Sequence, residues 1–318
     1  MDEHQHTKPE TQWEKDVLEK LAFAAINEQK AARRWGILFK FLTFGYLVAV
    51  LAVAVYPQVE TEMHGTQQHV AIIDVLGMIM DGEATSADTV ISGLRDAVKD
   101  KNTKGIILNI NSPGGSAVQA AYIYDEIRRQ KAEHPDLPIV SVVGDLCASG
   151  GYYVAAASDK IFVSPASIIG SIGVIMNGFG FSNVLEKLGV ERRLLTAGEH
   201  KAMLDPFSPM KSQEAKHMQS MLDQVHQQFI VAVKQGRGDR LKETADMFSG
   251  LVWSGEESVK LGLADDFGSI DSVARDVIGS EETVNFTPQE RLIDRLAGKF
   301  GASFAHTFAT AISGMQFR

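Results

Sequence analysis

The sequence predicts an α/β domain with a parallel sheet, preceded by one transmembrane helix. Two observations carry this prediction. An apolar run of about the length that a bilayer requires lies at residues 35–56, and from residue 69 short β-branched runs alternate with segments of helical periodicity. Nearly all-apolar strands separated by helices are typical of β-α-β units, in which helices cover both faces of the sheet.

Composition excludes several classes of protein. The 318 residues carry a net charge of −9 without a large basic block, which argues against a general nucleic-acid-binding protein. The single cysteine excludes an intrachain disulfide framework and any metal site made of several cysteines. We therefore expect no nucleic-acid partner, and the sequence indicates no metal and no cofactor.

Residues 35–56 have the features of a membrane-spanning helix. Trp35 and Tyr56 stand at its two ends, where interfacial aromatic residues are common. Lys40 lies in the first turns, so its side chain can reach back to the head groups. The alternative is a helix buried in a protein core.

The flanking sequence predicts an uncleaved anchor and its orientation. A long polar segment precedes the span and no small-residue cleavage site follows it, unlike in a signal peptide. Lys30, Arg33 and Arg34 lie before the span, whereas Glu60 and Glu62 follow it. By the positive-inside rule, the N-terminus is cytoplasmic and the rest of the chain is exported.

The predicted organisation has five parts. They are a cytoplasmic segment at 1–34 with a helix at 13–32, the span at 35–56, a linker at 57–68, the folded domain at 69–280 and a tail at 281–318. The tail carries an amphipathic pattern from residue 288 to residue 317, which predicts a helix that packs on another subunit, docks on the membrane or stays mobile.

Within the folded domain, strands are predicted at 70–76, 105–110, 138–143, 160–163 and 192–196. Helices are predicted at 86–100, 116–134, 150–157, 181–188 and 212–234, a loop at 236–240, and a turn-strand-helix group at 252–279. Ligand sites of open α/β sheets lie beyond the C-terminal ends of strands. Two such ends, at 111–116 and 144–149, therefore contain the candidate residues.

The first of these loops is Asn111-Ser112-Pro113-Gly114-Gly115-Ser116. Proline fixes one backbone dihedral and the glycines permit conformations that other residues avoid, so N–H groups can turn toward a ligand at a helix N-terminus. Such a loop suits an oxyanion hole. A phosphate cradle is an alternative, although the loop lacks the Gly-x-x-x-x-Gly-Lys-Ser/Thr pattern, and a plain connection is another.

The second loop places two nucleophiles close together, Cys147 and Ser149. Because Cys147 has no assigned histidine partner and precedes the helix start, we predict that it is a small buried residue beneath the site. Ser149 would begin the helix at 150–157, where free N–H groups stabilise a developing anion. Serine is also a common N-cap residue, so a purely structural role stays open. The loop is not the nucleophile elbow of α/β-hydrolases, because that motif requires glycine in place of Cys147.

A serine nucleophile needs a base, and no histidine lies between Ser149 and His200. Further along the chain, His217 and His226 fall on the long helix, where we expect solvated or packing roles. The remaining candidates are the adjacent His200 and Lys201.

Five motifs in the same order resemble those of the signal peptide peptidase A family. They are INSPGGS (110–116), ASGGYYVA (148–155), GSIGVI (170–175), GEHKAMLDPF (198–207) and GLADDFGS (262–269). The resemblance covers roughly residues 66–280 and includes the N-terminal anchor of short, single-repeat members. It implies a membrane-anchored bacterial serine–lysine peptidase with a fold related to the Clp protease and crotonase superfamily.

The resemblance also implies roles for individual residues. Ser149 would be the nucleophile and Lys201 the general base, with Gly114 and Gly150 N–H groups forming the oxyanion hole. Ser171 matches a position that orients the lysine. His200 departs from the family pattern and is expected to be peripheral.

The same resemblance implies a location, substrates and a homo-oligomer. The catalytic domain would lie on the periplasmic side of the bacterial inner membrane, where several subunits enclose a cavity. The substrates would be cleaved signal peptides or other short hydrophobic peptides.

The chemistry of a lysine base fits this assignment. A lysine with an ordinary pKa near ~10.4 is a poor base at neutral pH, and burial in an apolar pocket lowers that value by up to ~3–5 units. Apolar neighbours, Met203, Leu204, Pro206 and Phe207, lie close to Lys201 in the sequence. Asp205 would keep the lysine charged if it paired with it, so we predict that its carboxylate points elsewhere.

Two other functions stay open at this point. A crotonase-type acyl-CoA enzyme shares the architecture and the oxyanion hole, although such enzymes often use acidic catalytic residues and seldom carry an export anchor. A catalytically silent membrane scaffold would instead use the helices at 13–32 and 288–317 to assemble partners.

Overall fold

The computed structural model describes residues 12–62 and 67–288, which fall into two units. The first unit contains one long helix and the second is an α/β domain. The predictions for residues 1–11 and for the amphipathic tail beyond residue 288 lie outside the described residues.

The described part of the first unit is helix α1, Gln12–Glu62, which is 51 residues long. It joins the predicted helix at 13–32, the span and the first part of the predicted linker into one element, so the helix continues beyond the predicted end of the span to Glu62. Within it, Glu19–Leu51 is the one part of the described chain that is long and apolar enough to cross a membrane. Its side chains from Trp35 to Leu51 are exposed, as expected of a helix that contacts lipid.

The second unit is built around an eight-stranded sheet. The strands are β1 His69–Ile79, β2 Thr103–Gly115, β3 Ile139–Ala148, β4 Ile161–Val163, β5 Ile168–Gly170, β6 Val252–Ser254, β7 Asp266–Phe267 and β8 Thr283–Asn285. Their order is β6-β5-β3-β2-β1-β8, with β4 pairing with β3 and β7. All pairs are parallel except β5–β6, which confirms the predicted α/β fold with a parallel sheet.

Seven helices accompany the sheet in the described residues. They are α2 Ala87–Lys99, α3 Ala117–Glu133, α4 Gly150–Ala155, α5 Ser182–Lys187, α6 Ser212–Arg237, α7 Gly255–Lys260 and α8 Ile270–Val273. Serine side chains at Ser86, Ser116 and Ser254 cap α2, α3 and α7 by accepting a hydrogen bond from the third N–H group of each helix.

Alternation along the strands divides the core between the two faces of the sheet. In β1, Ala71, Ile73 and Val75 join the larger cluster, which includes side chains of α2, α3, α4 and α6. Val70 and Ile72 point to the other face, where they pack with residues of β2, β3, β4 and α8. Both faces are thus covered, as the nearly all-apolar strand sequences predict.

The structure differs from the prediction in several segments, among them the loop predicted at 111–116, where β2 continues to Gly115. Residues 192–196 form no strand, because Leu194 and Leu195 are exposed and pair with no neighbour in the sheet. The predicted loop at 236–240 is helical, since α6 continues to Arg237 and a 3-10 turn follows it. Strand β8 pairs with β1 although the predicted domain boundary was residue 280.

Glu126 of α3 is the buried centre of an ion-pair network that joins α2 to α3. Its carboxylate accepts hydrogen bonds from Arg129 at 2.6 and 3.0 Å, from Arg95 at 2.8 and 3.2 Å, and from Gln130 at 2.8 Å. These bonds, led by those of Arg129 and Arg95, hold the pKa of Glu126 well below its ordinary value. The network therefore stabilises the fold while Glu126 is ionised.

We expect Glu126→Gln to lower the free energy of unfolding at neutral pH by about 1–3 kcal/mol, because charge-assisted hydrogen bonds are lost. The folded pKa lies below the unfolded value of ~4.3, so the contribution is complete above the unfolded pKa and is lost progressively as pH falls from that value through the folded pKa. Thermal melting of the full chain in detergent should show a difference between wild type and variant that shrinks at about pH 3.5.

The matched control is Glu133→Gln, which removes the exposed partner of the same Arg129 and should change stability little. An equal loss in both variants, or a difference that does not depend on pH, would contradict the assignment to Glu126.

Candidate active site

Ser149 lies between β3 and α4, at the C-terminal end of a central strand. Its N–H group donates to the carbonyl of Gly170 in β5 at 2.8 Å, which fixes the position of the turn. Its backbone has φ 52° and ψ −122°, a conformation that residues with a side chain rarely adopt. Strained backbone of this kind is concentrated at functional sites.

The Ser149 side chain is half-buried and makes no hydrogen bond with the described part of the chain. Ser149 stands at the N-cap position of α4, but it caps none of the helix N–H groups. The alternative of a purely capping serine is therefore wrong. Its hydroxyl is available for chemistry.

Cys147 lies two residues before Ser149 and is fully buried within β3. It pairs with Ser112 of β2 and Ile169 of β5 in the sheet. Burial raises the pKa of its thiol well above the ordinary value, so the reactive thiolate is disfavoured. The prediction of a small buried residue beneath the site is confirmed.

The last residues of β2, from Ser112 to Gly115, form the glycine turn, which packs directly against the start of α4. A Cβ on Gly114 would lie 2.6 Å from the nitrogen of Gly150 and 2.8 Å from Cβ of Ser149, so only glycine fits there. Gly114 and Gly115 have φ of 97° and 153°, which also favour glycine. The structure thus brings the two predicted loops together.

The amide groups of this turn have different surroundings. Gly114 N–H donates to Oγ of Ser112 at 3.1 Å, and Ser116 N–H donates to Ile79 of β1 at 2.8 Å. The nitrogen of Gly115 lies 3.3 Å from where a Cβ on Gly150 would be, so this amide is next to the start of α4. The Gly114 amide predicted for the oxyanion hole thus donates to Ser112 within the chain, the Gly115 amide lies beside α4, and the donors of the oxyanion hole stay a prediction.

Ser171 lies in the loop after β5, next to the residue that holds Ser149. It has φ 51°, and its N–H donates to Leu251 at 2.8 Å. One residue further, the carbonyl of Ile172 is 3.1 Å from Nε2 of His226 on α6. His226 was expected to be a solvated or packing residue, and no sequence pattern indicated that it holds this loop.

Lys201 lies in a turn between α5 and α6, and it is exposed. Its backbone N–H donates to Gly198 at 3.1 Å, but no hydrogen bond joins its side chain to Ser149 or to any other described residue. The single chain therefore assembles the nucleophile and the amides but does not pair the lysine with them. The dyad of Ser149 and Lys201 stays a prediction.

The Asp205 carboxylate contacts Arg192 at 2.8 Å and Ser208 at 2.7 Å. The hydrogen bond from Ser208, with smaller contributions from the Phe207 amide and from Arg192, lowers the pKa of Asp205. The prediction that its carboxylate points away from Lys201 is confirmed, because these partners occupy it.

His200 lines a cavity of about 140 Å³ with Met203 and with Gln213, Glu214 and His217 of α6. This places the two neighbours His200 and Lys201 in different surroundings, since Lys201 does not line the cavity.

Two family profiles match the chain. The profile of peptidase family S49 matches residues 131–282, and that of Clp protease matches residues 66–169. Together they cover the strands and helices that form the site. The second profile agrees with the observed parallel sheet.

Relatives in three organisms resemble the chain. A protein of Methanocaldococcus jannaschii whose name describes it as a protease is 30% identical over 67% of this chain and 68% of its own length. One of Enterococcus faecium, named as a signal peptide peptidase, is 33% identical over 61% of this chain and 57% of its length. A protein of Brucella melitensis named as a Na(+)/H(+) antiporter is 38% identical over 72% of this chain.

The chain spans about a third (32%) of the length of that Brucella protein. The name of the longer protein refers to ion transport, whereas the match lies within 235 residues of it. Similarity over this stretch therefore concerns one part of the longer protein.

Proposed function

The chain belongs to peptidase family S49, and from this premise we propose that it is a membrane-anchored serine endopeptidase with Ser149 as nucleophile. The observation that carries the proposal is the turn at Ser149. Its strained backbone presents a hydroxyl without a hydrogen-bond partner beside the amide of Gly150. These are the parts that acyl transfer requires, a nucleophile and donors for the oxyanion.

In the proposed reaction, Lys201 takes the hydroxyl proton while Oγ of Ser149 attacks the carbonyl carbon of the scissile peptide bond. The carbonyl oxygen becomes an anion next to the Gly150 amide, with the amide of Gly115 or Gly114 as second donor. The C–N bond then breaks, and the leaving amine takes the proton from Lys201. Water, activated by the same lysine, hydrolyses the acyl-enzyme and restores Ser149.

Ser171 is proposed to orient the lysine. Its loop is held on both sides, by the bond between Gly170 and Ser149 and by His226 at Ile172, so its position relative to Ser149 is fixed. A fixed neighbour would restrict the lysine amine to the approach that proton transfer needs.

The proposed substrates are cleaved signal peptides or other short hydrophobic peptides. The relative in Enterococcus faecium carries the name of a signal peptide peptidase, which supports this class. A membrane anchor would keep the enzyme near peptides left in the bilayer. Helix α1 and the basic residues before its apolar part support an anchor with a cytoplasmic N-terminus and a periplasmic catalytic domain.

A homo-oligomer is proposed because the segment that carries Lys201 exposes apolar side chains. Ile175 is 85% exposed, Phe179 82% and Leu195 97%. Large apolar side chains exposed within one segment support a protein–protein contact there. A second copy of the chain is the partner that this proposal names.

Two measurements test the proposed function. A membrane-impermeant fluorophosphonate added to intact spheroplasts should label Ser149 in the wild type and not in Ser149→Ala, which checks the nucleophile and the topology together. Mass spectrometry should find short hydrophobic peptides, signal peptides among them, that accumulate in cells carrying Ser149→Ala. Absence of labelling in lysed cells would exclude the peptidase, and labelling only after lysis would exclude the topology.

The alternative functions predict different results. An acyl-CoA enzyme would be stabilised by coenzyme A in a thermal-shift measurement, and a silent scaffold would bind neither coenzyme A nor the fluorophosphonate. We expect labelling of Ser149 and no stabilisation by coenzyme A.

A further inference from the structure

Ser112 is fully buried one residue before Pro113, at an irregularity in the pairing of β1 with β2. Leu76 pairs with Asn111 and Met78 with Gly114, so Gly77 alone faces two residues of β2. This is the arrangement of a β-bulge, in which one ladder position is left without its regular partner.

The Ser112 hydroxyl fills that position. Its Oγ donates to the carbonyl of Gly77 at 2.6 Å and accepts the N–H of Gly114 at 3.1 Å. The side chain therefore provides hydrogen-bond partners for two backbone groups at the bulge, the partly buried Gly77 carbonyl and the buried Gly114 N–H. No acidic or basic group is needed for this role.

Ser112 also contacts the helix that follows the nucleophile. A Cβ on Gly151 would lie 3.0 Å from the carbonyl oxygen of Ser112 and 3.2 Å from its Cβ, so the two backbones are in close contact. One serine thus touches β1, the glycine turn and the start of α4. These are the elements that position the amides beside Ser149.

We propose that Ser112 is a positioning residue of the oxyanion hole: its hydroxyl holds the Gly114 amide toward β1, which directs the Gly115 amide toward Ser149 and Gly150. The inference rests on the proposed peptidase function, since an oxyanion hole has meaning only for acyl transfer. Ser112 contacts no substrate and acts through the backbone of the turn.

Without the hydroxyl, the peptide units of the turn are free to rotate, so Gly115 N–H loses its fixed direction. Removing an oxyanion donor outright costs about 10²–10³-fold in kcat. Because Ser112→Ala misaligns a donor without removing it, we expect a loss of roughly 10-fold or more in kcat with little change in KM. Affinity for a peptide boronate, which forms a tetrahedral adduct with Ser149, should fall by a similar factor.

The matched control is Ser141→Ala. Ser141 is also a fully buried strand serine, and its Oγ lies 2.6 Å from Oγ of Ser158, away from the turn. Both variants should melt at a lower temperature than the wild type, but Ser141→Ala should keep kcat and boronate affinity. If Ser112→Ala does not fold, Ser112→Cys is the second variant, because cysteine has nearly the same volume as serine. Since a thiol forms only weak hydrogen bonds, we expect its kcat to lie between those of Ser112→Ala and the wild type.

Hydrogen–deuterium exchange of the peptide that contains Gly114 gives a reading independent of activity. Exchange of this peptide should be faster in Ser112→Ala than in the wild type and unchanged in Ser141→Ala. The proposal would be overturned if Ser112→Ala kept the wild-type kcat and boronate affinity. If Ser112→Ala does not fold, the same result in Ser112→Cys would overturn it. An unchanged rate of deuterium exchange at the Gly114 peptide would also overturn it. Failure of the wild type itself to hydrolyse peptides or to react at Ser149 would instead refute the proposed function, and the exchange result would still decide whether Ser112 holds the turn.

Discussion

Ser149→Ala is expected to reduce peptide hydrolysis by on the order of 10⁴-fold to 10⁶-fold, because the covalent step is lost and only the residual effect of the oxyanion donors and substrate binding remains. Initial rates with a fluorogenic hydrophobic peptide, together with fluorophosphonate labelling, measure this directly. The matched control is Cys147→Ala, which alters the other nucleophile of the same loop. Since Cys147 is buried, this variant should keep both activity and labelling.

At position 149, the residue that gives activity is expected to lower the stability of the fold. Holding a residue with a side chain at φ 52° and ψ −122° costs on the order of 1–3 kcal/mol. Glycine accepts this backbone without strain, so Ser149→Gly should be inactive and yet about 1 kcal/mol more stable than Ser149→Ala. A lower melting temperature for the glycine variant would show that the turn is not strained.

The strands of the central sheet could be predicted because their sequences are nearly all apolar. β1 to β4 lie where the runs at 70–76, 105–110, 138–143 and 160–163 placed them. The run at 192–196, Arg-Arg-Leu-Leu-Thr, is also predicted as a strand, yet it forms none. A strand needs neighbours, and a sequence pattern cannot show that Leu195 lies 97% exposed with none.

The short strands β5 and β8 were missed for the opposite reason. Each has three residues, too few for an alternating pattern, and each exists because an already formed strand pairs with it. β5 is important for the site, because the carbonyl of its Gly170 accepts the hydrogen bond from the Ser149 N–H group. The sequence therefore did not predict the strand that holds the backbone of Ser149 in place.

In the candidate site, too, some features could be predicted from the sequence and others could not. The chemistry of Ser149, the glycine turn and the buried Cys147 followed from residue types and their positions at strand ends. The direction of each amide could not be predicted from the sequence. Gly114 and Gly115 are adjacent glycines, and the surroundings of their N–H groups differ only because of the Ser112 hydroxyl and the bulge. Distances between segments far apart in the chain, such as Ser149 and Lys201, depend on packing that no local pattern contains.

Lys201→Ala is expected to abolish hydrolysis to nearly the extent of Ser149→Ala, since a nucleophile and its base act as a unit and their losses do not add. Lys201→Arg should be equally inactive, because the guanidinium keeps its proton and cannot accept another. His200→Ala is the matched control at the adjacent position and should keep activity. Small primary amines should partly restore Lys201→Ala, which a purely structural lysine would not show.

Co-expression of Ser149→Ala with Lys201→Ala then tests which chain supplies the base. Within one chain Lys201 is exposed and shares no hydrogen bond with Ser149, and its segment carries the apolar residues Ile175 and Leu195. If this segment packs on a second copy, a wild-type Ser149 of one chain meets a wild-type Lys201 of another, and we expect activity to return. No recovery, with an oligomer still present by size-exclusion chromatography, would mean that the segment closes over Ser149 of its own chain. If Lys201→Ala kept full activity and His200→Ala lost it, the assignment of Lys201 as general base would be wrong, and His200 would be the base.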